Sequence, residues 1–349
     1  MKGISVTGYF GTGSSAVIDY IREFKNIKYI DSEMHLFINN GGLDELNYKM
    51  KNYPSILSGI AIYKFERLIK VLSEAGVYGE PFDSKVLWNG YFLKRSLEFI
   101  KNISNGYTDG FVEFNRVEKL GKFNKWEMKT LPKIKKCFYK YMLLKKNVNR
   151  DDFVIPKRRT YIPKTYDIYL KEQKKYISDL LNYLKTSPEE KVLFDHFLPI
   201  GILDNKKDYS DDLKVIIVDR DPRDIFILNL EKWKETFVPK NINDFVEWFK
   251  FNRKNKIRKN TEDILCLNFE DLIYKNRETT EKINSFLGLD KKDHINYKKY
   301  LDIDISINNT QLFNRYPEYQ NEIKIIEENL KEYLYEFPIK INKKVEIIF

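Results

Sequence analysis

Two cysteines, Cys137 and Cys266, are all that the 349 residues contain. They are too few and too far apart for a disulfide framework or a thiolate zinc site, so a reducing compartment is the expectation and a thiol active site is disfavoured. Histidine is as sparse, with three residues, and no dense His/Asp/Glu cluster has ligand spacing, so no metal centre is expected. Nowhere do about 18 apolar residues run together, which excludes a bilayer-spanning segment of the ordinary kind. The chain passes from Lys2 straight into Gly3, Ile4, Ser5, Val6 and Thr7, without the roughly 7–15 apolar residues of a secretory signal. A cytoplasmic protein is expected. Internal repeats and Gly/Ser-rich linkers are missing too, so one domain spanning 1–349 is the simplest organisation.

What the chain does have is apolar mass and basic charge. Hydrophobic residues make up 42% and include 24 Phe, 24 Tyr and 4 Trp, enough for a full core and against disorder. Lys and Arg number 61 against 51 Asp and Glu, a net charge of +10. Such an excess suits nucleic acid, an anionic membrane surface or an anionic small ligand. The abundance of Lys, Asn, Ile and Tyr that AT-rich coding produces accounts for the excess without any partner, so charge alone assigns none.

Short apolar runs at 3–7, 27–30, 192–194, 215–218 and 264–267 read as strands buried on both faces, and helical patterns separate them. The fold class is therefore α/β, a parallel β-sheet flanked by helices. Val17, Ile18, Ile21 and Phe24 have helical spacing after the first strand. A long, mostly helical insertion at about 46–185 carries the stripes Ile56, Ile60, Phe65, Leu68, Ile69, Leu72 and Ile177, Leu180, Leu181, Leu184. Within it, residues 119–175 are rich in Lys, Tyr and Phe, with Lys157, Arg158 and Arg159 between Pro156 and Pro163. A cationic, aromatic loop there would help shape an acceptor site for an anionic or sugar-like molecule. Towards the end, one helix closes at Gly288 and another, from Tyr319 through Leu334, is expected to stop at Pro338.

The first strand runs into Gly8, Tyr9, Phe10, Gly11, Thr12, Gly13, Ser14 and Ser15, and a helix follows. Glycines permit a tight turn, and the free N–H groups of a helix start favour an anion. Gly8 and Gly13 have Walker spacing, but Ser14 stands where its lysine belongs, which counts against an ordinary ATPase or GTPase. The dinucleotide fingerprint is also poorly met by Gly8, Gly11 and Gly13. After the fourth strand come Asp219, Arg220, Asp221, Pro222, Arg223 and Asp224. Pro222 is placed to start a helix, and Arg220 leaves the carboxyl end of a strand, where a planar guanidinium suits phosphate.

Together these residues resemble the sulfotransferases that use 3′-phosphoadenosine 5′-phosphosulfate (PAPS). The similar elements are the lysine-poor loop Gly11 to Ser15, the Arg-Asp-Pro-Arg-Asp run, Asn268 to Leu272, the Phe286-Leu287-Gly288-Leu289 helix end, and Asn309, Thr310, Gln311, Leu312 and Phe313 as a C-terminal nucleotide loop. The resemblance covers 1–35 and 190–335. It implies a nucleotide cofactor, PAPS, with 3′,5′-bisphosphoadenosine (PAP) as product. Gly11, Thr12, Gly13, Ser14 and Ser15 would hold its 5′-phosphosulfate and Arg220 its 3′-phosphate, with Asn229, Asn309, Thr310 and Gln311 as further cofactor contacts. Two positions depart from the family: Gly11 replaces a Lys or Arg, and Leu228, with Asn229 beside it, replaces a Ser that partners the 3′-phosphate. The resemblance offers two candidates for the base that takes the acceptor proton. His196 precedes Leu198 and Pro199 and lies 24 residues before Arg220; Glu33, with His35 two residues on, follows the second strand. His294, in a charged late loop, is expected at the surface.

The reading is thus a PAPS-dependent sulfotransferase acting on a hydroxyl, with a glycan or glycan precursor as acceptor. The carbohydrate rests on Trp88, Tyr91, Phe92, Trp126, Tyr139 and Tyr141 as stacking faces. A P-loop kinase of small molecules and a non-catalytic nucleotide- or nucleic-acid-binding protein are the alternatives.

Overall fold

The computed structural model describes residues 1–31, 36–74, 87–110, 158–234, 237–254 and 259–339. The chain forms two compact units: Met1–Phe37, Glu74–Asn89 and Lys174–Phe349 in one, Ile38–Ser73 and Gly90–Gln173 in the other. The second overlaps most of the insertion expected at about 46–185.

The first unit is built on five parallel strands: β1 (Gly3–Gly8), β2 (Ile27–Ile30), β5 (Lys191–Asp195), β6 (Leu213–Asp219) and β7 (Ile264–Asn268), in the spatial order β2-β5-β1-β6-β7. All four pairings are parallel, as near-continuous apolar strands require. On one face Ile4, Val6, Ile216 and Val218 pack with Val17, Ile18 and Ile21 of α1 (Ser14–Ile21). The same cluster takes in Leu272 of α8 (Phe269–Tyr274) and Ile283 and Leu287 of α9 (Asn276–Leu287). Each such side chain contributes about 1.5–3 kcal/mol, and Ile4→Ala is expected to cost about 2–5 kcal/mol.

A second cluster joins α6 (Pro222–Leu228), α7 (Ile242–Arg253) and α10 (Gln320–Asn329) through Ile227, Leu228, Phe245, Phe249, Ile323 and Ile326. The last helix is shorter than its apolar spacing suggests. It ends at Asn329, a 3-10 turn follows at Lys331–Tyr333, and Tyr335 beyond it donates its N–H to Asp221 Oδ2 at 2.9 Å and accepts at its carbonyl from Arg223 Nη2 at 3.3 Å.

The second unit contains α2 (Leu43–Asn52), α3 (Ile56–Glu74), α4 (Tyr91–Ile103) and an antiparallel pair, β3 (Ser104–Gly110) with β4 (Arg158–Pro163). Helix α5 (Tyr166–Leu184) runs on from it into the first unit. The strand pair corrects the expectation of a cationic loop at Arg158 and Arg159. Arg159 donates to Glu66 at 3.3 Å and lies over the Tyr107 ring at 4.4 Å, while the Tyr161 hydroxyl donates to the same buried Glu66 at 2.9 Å. Pro156 and Lys157 lie outside the described residues.

Candidate active site

Because the strands are parallel, their carboxyl ends share one edge of the sheet. β1 is central, and the chain crosses from its β5 side to its β6 side, the kind of switch point where open α/β sheets bind ligands. Gly8 pairs with Val218, Val6 with Asp195, and Asp219 with Asn268. The residues following these strand ends are therefore neighbours however far apart they lie in sequence.

The glycine turn is tightly determined. A Cβ on Gly8 would lie 2.0 Å from Thr12 Oγ1 and 2.9 Å from the Val218 carbonyl, and one on Gly13 would lie 2.6 Å from the Phe269 ring. Phe10, Gly11 and Gly13 have φ of 69°, 67° and 85°, so the turn runs through the left-handed region before α1 begins. The backbone N–H groups of Gly11, Thr12, Gly13, Ser14 and Ser15 find no acceptor among the described residues. With the α1 dipole behind them, these donors have the polarity and direction that would suit an anion.

Arg220, only 3% exposed, meets this turn. Its Nη1 donates to the Gly11 carbonyl at 3.3 Å, its Nη2 donates to the Asn309 carbonyl, and its guanidinium lies 4.8 Å from the Phe269 ring centre. Arg220 Nε is buried with no partner. Burial lowers the affinity of this guanidinium for its proton, and Asp224, Glu270 and Asp221 oppose that fall. The arginine run and the glycine turn are in contact.

The carboxylates around Arg220 are structural. Asp221 caps α6 by accepting from Arg223 N at 2.9 Å and also takes the Arg223 side chain at 3.0 and 2.8 Å. Its own N–H donates to Glu270 at 2.9 Å. Asp224 accepts from Gln311 N at 2.8 Å and Leu312 N at 2.7 Å, fixing the left-handed Gln311. Burial, then the nearby Asp221 charge, pushes Asp224 up to about 7; the same two causes raise Glu270 well above the ordinary carboxyl range. Asp219 at the end of β6 pairs with Arg253 at 2.8 Å, and that guanidinium lies between the rings of Phe249 at 3.5 Å and Tyr9 at 4.4 Å.

The C-terminal loop is brought to the same place. Thr310 Oγ1 and the Tyr274 hydroxyl share a hydrogen bond of 2.6 Å, Gln311 Nε2 donates to Tyr274 at 2.9 Å, and Arg315 donates to the carbonyls of Asn308 at 2.7 Å and Thr310 at 3.1 Å. Asn229 is buried and donates to the Val238 carbonyl at 3.2 Å, which ties down the chain leading away from α6. Leu228 lies in the apolar cluster of that helix, where a serine would lose packing.

His196 follows β5 in the left-handed region, φ 49°, with its N–H on the Val6 carbonyl at 2.9 Å. Its Nδ1 lies 2.6 Å from Asp195 Oδ1, and its Nε2 accepts from the Gly8 N–H at 3.3 Å. Those two contacts favour the tautomer with the proton on Nδ1, leaving the Nε2 lone pair at the start of the anion turn. Glu33 and His35 lie outside the described residues. His294 is not a surface residue: it stacks on Phe24 at 4.4 Å and bonds to buried Glu23 at 2.6 Å, joining two loops. Arg253, Arg315 and Trp233 were missed in the sequence. For Arg253 a signal existed, a charge in register with the apolar positions Phe245 and Phe249.

Compared with known proteins, a stretch of 134 residues is 31% identical to sulfotransferase 2A1 of Macaca fascicularis. The chain is similar to a sulfotransferase. The match spans 34% of this chain and 46% of that relative, less than half its length. No family model matches. The solved structures compared are like this chain only at low similarity. A sulfotransferase domain from the curacin biosynthetic pathway covers 97% of this chain and 99% of its own, with a TM-score of 0.41 and 13% identity. Sulfotransferase STF9 from Mycobacterium avium covers 99% and 79%, with a TM-score of 0.36 and 9% identity. Retinol dehydratase in complex with androsterone and the inactive cofactor PAP covers 98% and 83%, with a TM-score of 0.33 and 12% identity. The glycine turn, Arg220, the 309–311 loop and His196 surround one edge of the sheet. Among the described residues no helix is long and apolar enough to cross a membrane.

Proposed function

We propose that this protein is a sulfotransferase that uses PAPS and transfers the sulfuryl group to a hydroxyl. The observation that carries the reading is the contact between the two anion motifs, Arg220 Nη1 on the Gly11 carbonyl at 3.3 Å, with His196 Nε2 3.3 Å from the Gly8 N–H. The sequence match to sulfotransferase 2A1 supports it.

The residues fit the cofactor's two charged ends. The unpartnered N–H groups from Gly11 to Ser15, with the hydroxyls of Thr12, Ser14 and Ser15, would receive the 5′ end. Arg220, exchanging a backbone carbonyl for a phosphate oxygen, would receive the 3′-phosphate, with Asn309, Thr310 and Gln311 shaping that side. Asn229 acts indirectly, through the segment it anchors. When bound, PAPS supplies an activated sulfuryl group. Positioning and fixed donors are then the main requirements on the protein, because such transfers ask little covalent chemistry of it. His196 is the base this reading favours: Asp195 holds Nδ1–H and would stabilise the imidazolium, while Nε2 gives up the Gly8 N–H to accept the hydroxyl proton. Glu33 remains the second candidate from the resemblance.

The expectation of a carbohydrate acceptor rests on six aromatic residues. Trp88 and Phe92 are buried, the first donating to the Leu180 carbonyl at 3.1 Å, and neither can stack on a sugar. Tyr91 is half-buried, while Trp126, Tyr139 and Tyr141 lie outside the described residues. A glycan therefore stands as one hydroxyl acceptor class to be screened among others. A site near the cytoplasmic nucleotide pool would suit the use of PAPS.

A thermal-shift titration separates this reading from a kinase. PAP is expected to raise the melting temperature at lower concentration than ATP with Mg²⁺; the reverse order, or no shift with PAP, would contradict it.

A further inference from the structure

Position 11 is a glycine where the sulfotransferases that the sequence resembles carry Lys or Arg. The structure has filled the space of that side chain from outside. A Cβ on Gly11 would lie 2.4 Å from Trp233 Cζ3 and 3.2 Å from Cη2, so the indole rests on the Gly11 Cα. Opposite it, the Gly11 carbonyl accepts from Arg220 Nη1 at 3.3 Å. The peptide is clamped between an indole and a guanidinium in a left-handed conformation, φ 67°.

The indole is itself aimed by irregular structure. Residues Asn229–Trp233 form a π-turn, closed by Lys234 N–H on the Asn229 carbonyl at 2.8 Å and by the left-handed Lys234, φ 54°. Asn229 is anchored on Val238, and the Tyr319 hydroxyl donates to Glu231 at 2.5 Å. Such π-turns are rare, cluster at functional sites and re-aim the side chains they carry. The next ring along covers the preceding loop residue: Phe237 lies 4.9 Å from Phe10, which is backed by Trp248 at 6.1 Å. Phe10 is bulky and half-exposed yet held at φ 69°, a conformation that persists only where its surroundings enforce it.

We infer that Trp233 is a positioning residue for the 5′-phosphate end of the nucleotide. By occupying the side-chain space of position 11 it holds Gly11 left-handed, and the backbone N–H groups from Gly11 to Ser15 take the place of the absent lysine. Gly11 and Trp233 are thus a matched pair. A lysine restored at 11 collides with the indole and breaks the cradle; with the indole gone, the collision goes too. This role rests on the sulfotransferase reading.

The test is calorimetric titration with PAP, AMP and adenosine 3′-monophosphate, alongside melting temperature, for the wild type, Trp233→Ala, Trp233→Phe, Gly11→Lys and the double variant Gly11→Lys/Trp233→Ala. Trp233→Ala is expected to weaken PAP and AMP about tenfold or more and to leave adenosine 3′-monophosphate within about twofold, with Trp233→Phe retaining most affinity. Gly11→Lys should lose PAP binding, and the double variant should regain about tenfold over it. Unchanged PAP and AMP affinity in Trp233→Ala, an equal loss for all three nucleotides, or equal harm from Gly11→Lys in both backgrounds would overturn the role. Should either large substitution prevent folding, Trp233→Phe and Gly11→Ala carry the same pairwise comparison. Failure of the sulfotransferase reading would appear separately, as a wild type that binds none of the three.

Discussion

Under the proposed reading, His196 is the side chain on which removal of the acceptor proton depends. Its Nδ1 is held by Asp195 at 2.6 Å and its Nε2 accepts from the Gly8 N–H at 3.3 Å, so the ring is oriented towards the first loop glycine. Replacing it by Ala should leave PAP affinity within about threefold and lower transfer to any acceptor found by about 10²–10⁴, the usual range for a lost general base. Full turnover in His196→Ala would remove it from that role and favour Glu33. The resemblance pointed to His196 through the Leu198-Pro199 that follows it and its separation from Arg220, but its left-handed backbone and its bond to the first loop glycine were not legible. Both depend on β5 lying beside β1, which no local pattern states.

At the scale of elements, the strands were readable because each is an unbroken apolar run, and all five formed where expected. The helix ends were legible where a glycine enforces them, as at Gly288, and not where the chain tightens into a 3-10 turn with no breaker residue, as after Asn329. The β3–β4 pair was hidden because charged and aromatic residues at 158–163 read as a loop until Glu66 is known to receive them. The buried carboxyls joining α6 to the 309–312 loop make a testable pH signature. Asp224 ionises at about 7 in the folded chain against about 3.9 when unfolded. Between those values the folded chain holds a proton that the unfolded chain has lost, so this contribution to stability is complete at the acid end and declines as pH rises through about 7. Asp224→Asn removes it. The wild-type melting temperature minus that of Asp224→Asn should therefore fall by on the order of a few degrees between about pH 5 and pH 8. A difference that is flat, or that grows with pH, would contradict the burial argument.

For the whole molecule, one topological fact gathers residues 8–15, 195–196, 219–224 and 309–311: parallel strands whose carboxyl ends share an edge, with the chain crossing sides at β1. The order of motifs in the sequence was enough to anticipate that gathering. It was not enough to foresee that Arg220 would be buried against two carbonyls, that Leu228 would be packing, or that Trp233 would lie on Gly11. Those depend on tertiary neighbours that spacing does not encode. In the proposed reading, the glycine turn and Arg220 would grip opposite ends of one bisphosphorylated adenosine. The decisive measurement is calorimetric titration of PAP and AMP into the wild type and Arg220→Ala. PAP is expected to bind about tenfold or more tighter than AMP in the wild type, with that advantage lost in Arg220→Ala. Equal affinity for both nucleotides in the wild type, or an advantage for PAP that survives the substitution, would contradict it.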